Sequence, residues 1–139
     1  MRELFVDTNV VLDLLMGKEP HASLANKFFA YAVQNDIGLN VCSLSYGTLY
    51  YLVKKKMSHQ SAIDDLIWIF KLTESVHVDK NIIKQSLESR FRDFEDAIQY
   101  YCALQVSNCE AIISRNEKDF RLSTLPVCSP EFFLAQENI

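Results

Sequence analysis

The chain has 139 residues, is 49% hydrophobic and 23% charged, and carries a formal net charge of −4. That size suits one folded domain over residues 1–139, with enough apolar material for a core that needs no staples. The acidic balance argues against a broad electrostatic grip on nucleic acid, although a site made of carboxylates stays acidic only until metal binds.

No apolar run approaches the ~20 residues that a membrane span needs. Met1-Arg2-Glu3 meets an acid too early for a signal peptide, so the expected location is the cytoplasm, without membrane contact. The four cysteines, Cys42, Cys102, Cys109 and Cys128, form no CxxC pair and have no histidine at zinc-finger spacing. They read as small hydrophobes in a reducing compartment.

Leu4-Phe5-Val6 is a short apolar run that ends at Asp7 and reads as a buried strand. Thr8 or Asn9 is a suitable cap for the apolar helix that follows, and Gly17 and Pro20 punctuate its end. His21 to Gln34 carries Leu24, Phe28 and Ala32 at helical spacing. Ile37 to Cys42 reads as a second strand. Ser43 or Ser45 is placed to cap a helix through Leu49 and Val53, and Ser58 to cap another with the stripe Ile63, Leu66, Ile67 and Phe70. A third strand is expected at Ser75 to Val78, then a helix around Ile82 to Leu87 and another from Phe91 to Val106. Ala111 to Ser114 is a fourth strand, Asn116 to Phe120 a turn or short helix, and Val127-Cys128 an edge strand. Ser129-Pro130-Glu131 opens a last helix, with cap, proline and early acid in order. This alternation of strands and helix pairs implies a parallel sheet flanked by helices.

Three places carry oxygen ligands. Asp7 follows a strand and precedes a helix, at the carboxyl edge where open α/β sheets bind ligands. Asp93, Glu95 and Asp96 cluster before an apolar helix, where Asp93 can cap while Asp96 points into a site. Ser114, Asn116 and Asp119 follow the fourth strand. Hard oxygens of this kind suit Mg²⁺ or Mn²⁺, which bind phosphate and activate water. His21, His59 and His77 lie in other segments, so the chemistry is expected to be metal-borne.

Asp7-Thr8-Asn9 before an apolar helix, then Phe94-Glu95-Asp96-Ala97-Ile98-Gln99, then Ile112-Ile113-Ser114-Arg115-Asn116 with Asp119-Phe120, together resemble the PIN domain, and its VapC-type toxin branch in particular. The resemblance runs over nearly the whole chain. It implies a three-layer α/β/α sandwich around a parallel sheet of four to five strands. It also implies a Mg²⁺- or Mn²⁺-dependent ribonuclease, acting as the toxin of a toxin–antitoxin pair. Carried over, Asp7, Asp96 and Asp119 are the catalytic acids, with Asn116 completing the metal ligands. Asn9, Thr48, Asp93, Glu95 and Ser114 support them, and Arg92, Arg115 and Lys118 are placed for RNA phosphates. An antitoxin is expected to cover the cleft and to offer an arginine to the acids. A homodimer is expected too, with Phe28, Phe29, Tyr31, Trp68 and Phe70 as its candidate surface.

One departure stands out. The family usually places a Glu early in the helix after the second strand, and here that position aligns with Thr48. The alternative function is therefore a PIN fold kept as a binding or scaffold module. A haloacid-dehalogenase-like phosphatase wants a second Asp where Asn9 stands, and a receiver domain wants paired acids at the first strand.

Overall fold

The computed structural model describes residues 1–138. Its strands are β1 (Glu3–Val6), β2 (Gly38–Cys42), β3 (Glu74–Val76), β4 (Cys109–Ile113) and β5 (Val127–Cys128). All pair in parallel, in the order β3-β2-β1-β4-β5. The helices are α1 (Thr8–Met16), α2 (His21–Gln34), α3 (Ser45–Lys54), α4 (His59–Leu72), α5 (Lys80–Glu88), α6 (Phe94–Leu104) and α7 (Pro130–Gln136). A short 3-10 helix spans Glu117–Phe120.

Strand alternation divides the core in two. Leu4 and Val6 of β1, with Ala111 and Ile113 of β4, face one cluster, where they meet Val10, Val11, Phe28 and Phe133. Phe5 and Ile112, one residue out of phase, face the other, with Ile82, Ile98 and Phe120. The three-layer sandwich expected from the sequence follows: α1, α2 and α7 cover one face, α5 and α6 the other. The first cluster is pinned by Phe28, whose ring meets Phe29 and Phe133 edge-on at 5.5 Å.

Ser58 and Ser129 cap α4 and α7 as expected, accepting from Ser61 N and Phe132 N. Elsewhere the small polar residues take other partners. The cap of α1 is Asp7, not Thr8 or Asn9, yet its side chain caps nothing, because its carboxylate is bound across the sheet edge. α3 has Leu44 in the cap position; Ser43 Oγ accepts from Val78 N instead, and Ser45 Oγ bonds Thr8 Oγ1. Diverting Val78 N to Ser43 helps to end β3 at Val76. α6 starts at Phe94 rather than Phe91, because Asp93 accepts from Asp96 N at 3.0 Å and keeps an extended backbone.

Phe28 and Phe29 are buried, whereas Trp68 and Phe70 are exposed. Cys42, Cys102, Cys109 and Cys128 are all free thiols. Among the described residues, no helix is long and apolar enough to cross a membrane.

Candidate active site at the carboxyl edge of the sheet

β1 lies at the centre of the sheet, and the chain reaches β2 and β3 on one side of it before crossing to β4 on the other. The carboxyl ends of β1 and β4 therefore form a switch point, the usual place for a ligand in an open α/β sheet. Asp7 leaves β1 there and Ser114 leaves β4. The strand ends are tied together, since Asp7 N donates to Ile113 O at 2.9 Å.

The Asp7 carboxylate is 4% exposed and held from both sides. Ser114 Oγ donates to Oδ2 at 2.6 Å, and Gln99 Nε2 donates to Oδ1 at 2.8 Å. Burial pushes its pKa up, and these hydrogen bonds pull it back in part. Each partner is itself fixed. Ser114 Oγ accepts from Asn116 N at 3.0 Å, and Gln99 Oε1 accepts from Thr8 N at 2.9 Å.

Asp96 stands in the first turn of α6, three residues before Gln99 and so on the same helix face. Its carboxyl is pushed up to about 7, first by burial and then by the negative charges of Asp93, Asp7, Asp119 and Glu95. Among the described residues, none of these five acids has a Lys, Arg or His at ion-pair distance. The site thus gathers like charge without an ion pair among the described residues.

Two hollows flank this charge. One, of about 290 Å³, is lined by Asp93, Asp96 and Asp119 together with Arg90, Arg92, Lys118 and Arg121. The other, of about 390 Å³, lies between α3 and the start of α6 and includes Thr48 and Glu95. Successive residues of one helix turn, Glu95 and Asp96, thus line different hollows, as the 100° step per residue requires.

The structure brings Asp7, Asp96 and Asp119 within electrostatic reach, with Asp93 and Glu95 beside them. Asn116 is exposed at the exit of β4, one turn of chain before Asp119. Arg92 and Lys118 share the acidic hollow, but Arg115 does not. Its guanidinium grips buried Asp13 of α1, with Nε to Oδ2 at 2.5 Å, and it lines a separate hollow with His21 and Pro130. Arg90, which the sequence did not single out, lines the acidic hollow with Arg92 and Lys118.

Gln99, Ser45 and Thr8 are not among the site residues that the sequence points to, although Thr8 and Ser45 read there as helix caps. Gln99 had a signal: a buried-face polar residue three positions after Asp96 in an otherwise apolar helix. Ser45 is ordinary in sequence and gains its place only through the sheet order, which sets β2 beside β1.

The donor set fits a hard divalent cation. All the candidate ligands are oxygens, their charge is uncompensated, and Asn9 Oδ1, two residues from Asp7, is buried without a hydrogen-bond partner among the described residues. As the side chains stand, no three acids among the described residues close to metal-ligand spacing.

A five-stranded parallel sandwich with an oxygen-rich switch point defines the class of protein. The PIN domain family model matches residues 3–118, and the chain belongs to that family. No curated protein matches it. The solved structures it is similar to include VapBC2 from Rickettsia felis, bound to a DNA fragment from their promoter: 15% identical, covering 90% of this chain and 96% of that one, TM-score 0.69. VapBC-1 from nontypeable Haemophilus influenzae is 18% identical over 93% of this chain and 98% of that one, TM-score 0.69. Mycobacterium tuberculosis VapC20, a sarcin-ricin loop cleaving toxin, is 16% identical over 78% and 86%, TM-score 0.61. At these identities the likeness is one of fold.

Proposed function

We propose that the protein is a Mg²⁺- or Mn²⁺-dependent endoribonuclease, the toxin of a toxin–antitoxin pair working in the cytoplasm. One observation carries the reading: Asp7, Asp96 and Asp119 lie near enough at the carboxyl edge of the sheet for their charges to act on one another, and among the described residues none of them has a Lys, Arg or His at ion-pair distance. Membership of the PIN family and a fold shared with VapBC complexes support it.

In this reading Asp7, Asp96 and Asp119 hold the ion, with Asn116 as a neutral donor. A divalent ion held there supplies an activated water and stabilises charge on the phosphate oxygens of RNA. The chain's own residues do the rest. Ser114 and Gln99 orient Asp7, and Asp93 fixes the first turn of α6 so that Asp96 stays at the edge. Arg90, Arg92 and Lys118 draw RNA phosphates toward the acids; Arg115 acts instead as a brace on α1. An antitoxin would supply an arginine to the same acids, and the exposed Trp68 and Phe70 of α4 would serve a homodimer.

Titration of Mn²⁺ into wild type, Asp7→Asn and Asp96→Asn by calorimetry tests the site. Saturable binding in wild type that both variants lose is expected, with metal-dependent cleavage of RNA following the same pattern. Absence of binding in wild type overturns the metal site.

A scaffold function without turnover is the second reading. It is favoured by Thr48 where the family usually has Glu, and by the lack of a preformed three-acid group among the described residues. It predicts no Mn²⁺ binding, while a partner still covers the cleft.

A further inference from the structure

The hollow between α3 and α6 has features that the metal site does not use. Gly47, the third residue of α3, lines it, and a Cβ built there meets nothing within 4 Å. Its φ is not positive, so no backbone need explains it. Glycine is among the poorest helix formers, so α3 gives up stability for an open surface that no part of the chain fills. Across the opening stands Phe94, 46% exposed on the first residue of α6. Buried Cys42 and Ile98 line it too, as do the buried Ser45 and Gln99, whose amide is already bonded to Asp7 and Thr8, and the exposed Glu95 carboxylate is at its edge. The hollow also borders the acidic site, because Thr8 follows Asp7 and Glu95 precedes Asp96.

We propose that this hollow receives one base of a single-stranded RNA, stacked on Phe94 and lying against Gly47, next to the phosphate held at the acids. An open slot with an aromatic wall and a few convergent polar groups is the form of a site for a flat heteroaromatic ring. The position of the charges agrees. Arginines and Lys118 line the hollow on the Asp96 side, where the phosphate chain would run, whereas among the described residues no Lys or Arg lines this one. Glu95, as acceptor at the edge, would favour bases that present amino or imino hydrogens. The inference rests on the ribonuclease reading for its choice of ligand, but binding is measured apart from cleavage.

The test is fluorescence anisotropy of a labelled ten-nucleotide RNA, and of an abasic ribose-phosphate chain of equal length, without divalent metal so that no cleavage occurs. Wild type, Phe94→Leu and Gly47→Leu are compared as full-length chains, with thermal melts to confirm folding. Both positions are exposed, so Phe94→Leu should melt near wild type and Gly47→Leu at or above it. The expected result is a loss of about tenfold in RNA affinity in each variant, the size of one lost stack, with affinity for the abasic chain unchanged. Unchanged RNA affinity, an equal loss on the abasic chain, or no RNA binding by wild type overturns the proposal. A hollow made for a side chain of a protein partner gives the first of these results. Failure of the metal site, by contrast, shows as lost Mn²⁺ binding and cleavage with the base-dependent affinity intact.

Discussion

Asp7 is buried, ionisable and bonded to two side chains, so its neighbours set its behaviour as much as its own chemistry does. Ser114→Ala removes the 2.6 Å bond to Oδ2 and leaves a buried oxygen without its donor. The expected cost is about 1–3 kcal/mol in urea unfolding, with the Asp7 pKa pushed further up. Asp96 gives the pH dependence. Its carboxyl rises from an ordinary 3.8 to about 7 in the folded protein, so between those values the native state holds more protons than the unfolded chain. Its contribution to stability is therefore fully present below the unfolded value and is lost as pH rises through the folded one. Asp96→Asn should raise the melting temperature most at about pH 8, by less near pH 5, and change it little below about pH 3.8. In wild type, Mn²⁺ affinity should fall as pH is lowered through about 7, because the proton competes with the ion for Asp96. A pH-independent Asp96→Asn effect would exclude this origin.

The helix starts show what a sequence can and cannot tell at the scale of an element. Ser58, Asp93 and Ser129 were readable as caps, because an acceptor followed by a helical apolar run specifies its own partner three residues on. Ser43 and Ser45 offered the same signal before α3 and were used elsewhere. Their partners, Val78 and Thr8, come from segments that only the sheet brings near. The separation of Glu95 from Asp96 was legible from helix geometry alone. The hollow that Glu95 lines was not, since it depends on how α3 sits against α6. α3 itself carries a stability prediction: Gly47→Ala, with free space around the new Cβ, should stabilise the protein by up to about 0.5–1 kcal/mol, or a few degrees in melting. An unchanged or lower melting temperature would mean that glycine has a backbone role that its φ does not reveal.

For the whole molecule, the alternation of strands with helix pairs was enough to specify a parallel sandwich, because parallel neighbours need a crossover and helices supply it. The acids after β1 and β4 followed from the same topology, whereas Asp96 comes from the start of α6, behind α5 rather than a strand. Arg115 reads in sequence as an RNA-phosphate contact because it flanks the acidic motifs, and its ion-pair partner is not legible there. The side chain turns back to α1, where Asp13 is 6% exposed and needs a counter-charge. Arg115→Ala should accordingly behave as a stability variant. Because the arginine is itself 34% exposed, water screens the pair, and the expected loss is about 2–3 kcal/mol rather than the full cost of a stranded buried charge. Loss of RNA affinity with unaltered melting would restore Arg115 to the phosphate path.

The central position of β1 also fixes how the site moves. The Asp7 amide is bonded to β4 within the middle of the sheet, so its hydrogen should exchange only when the core opens as a whole. Asp119 rides on a four-residue 3-10 helix at the surface, whose few bonds break singly and often. The acidic cleft thus has one wall as slow as global unfolding and another that can rearrange on its own, and an ion or partner that bridges them will leave its mark in exchange protection on the Asp119 side.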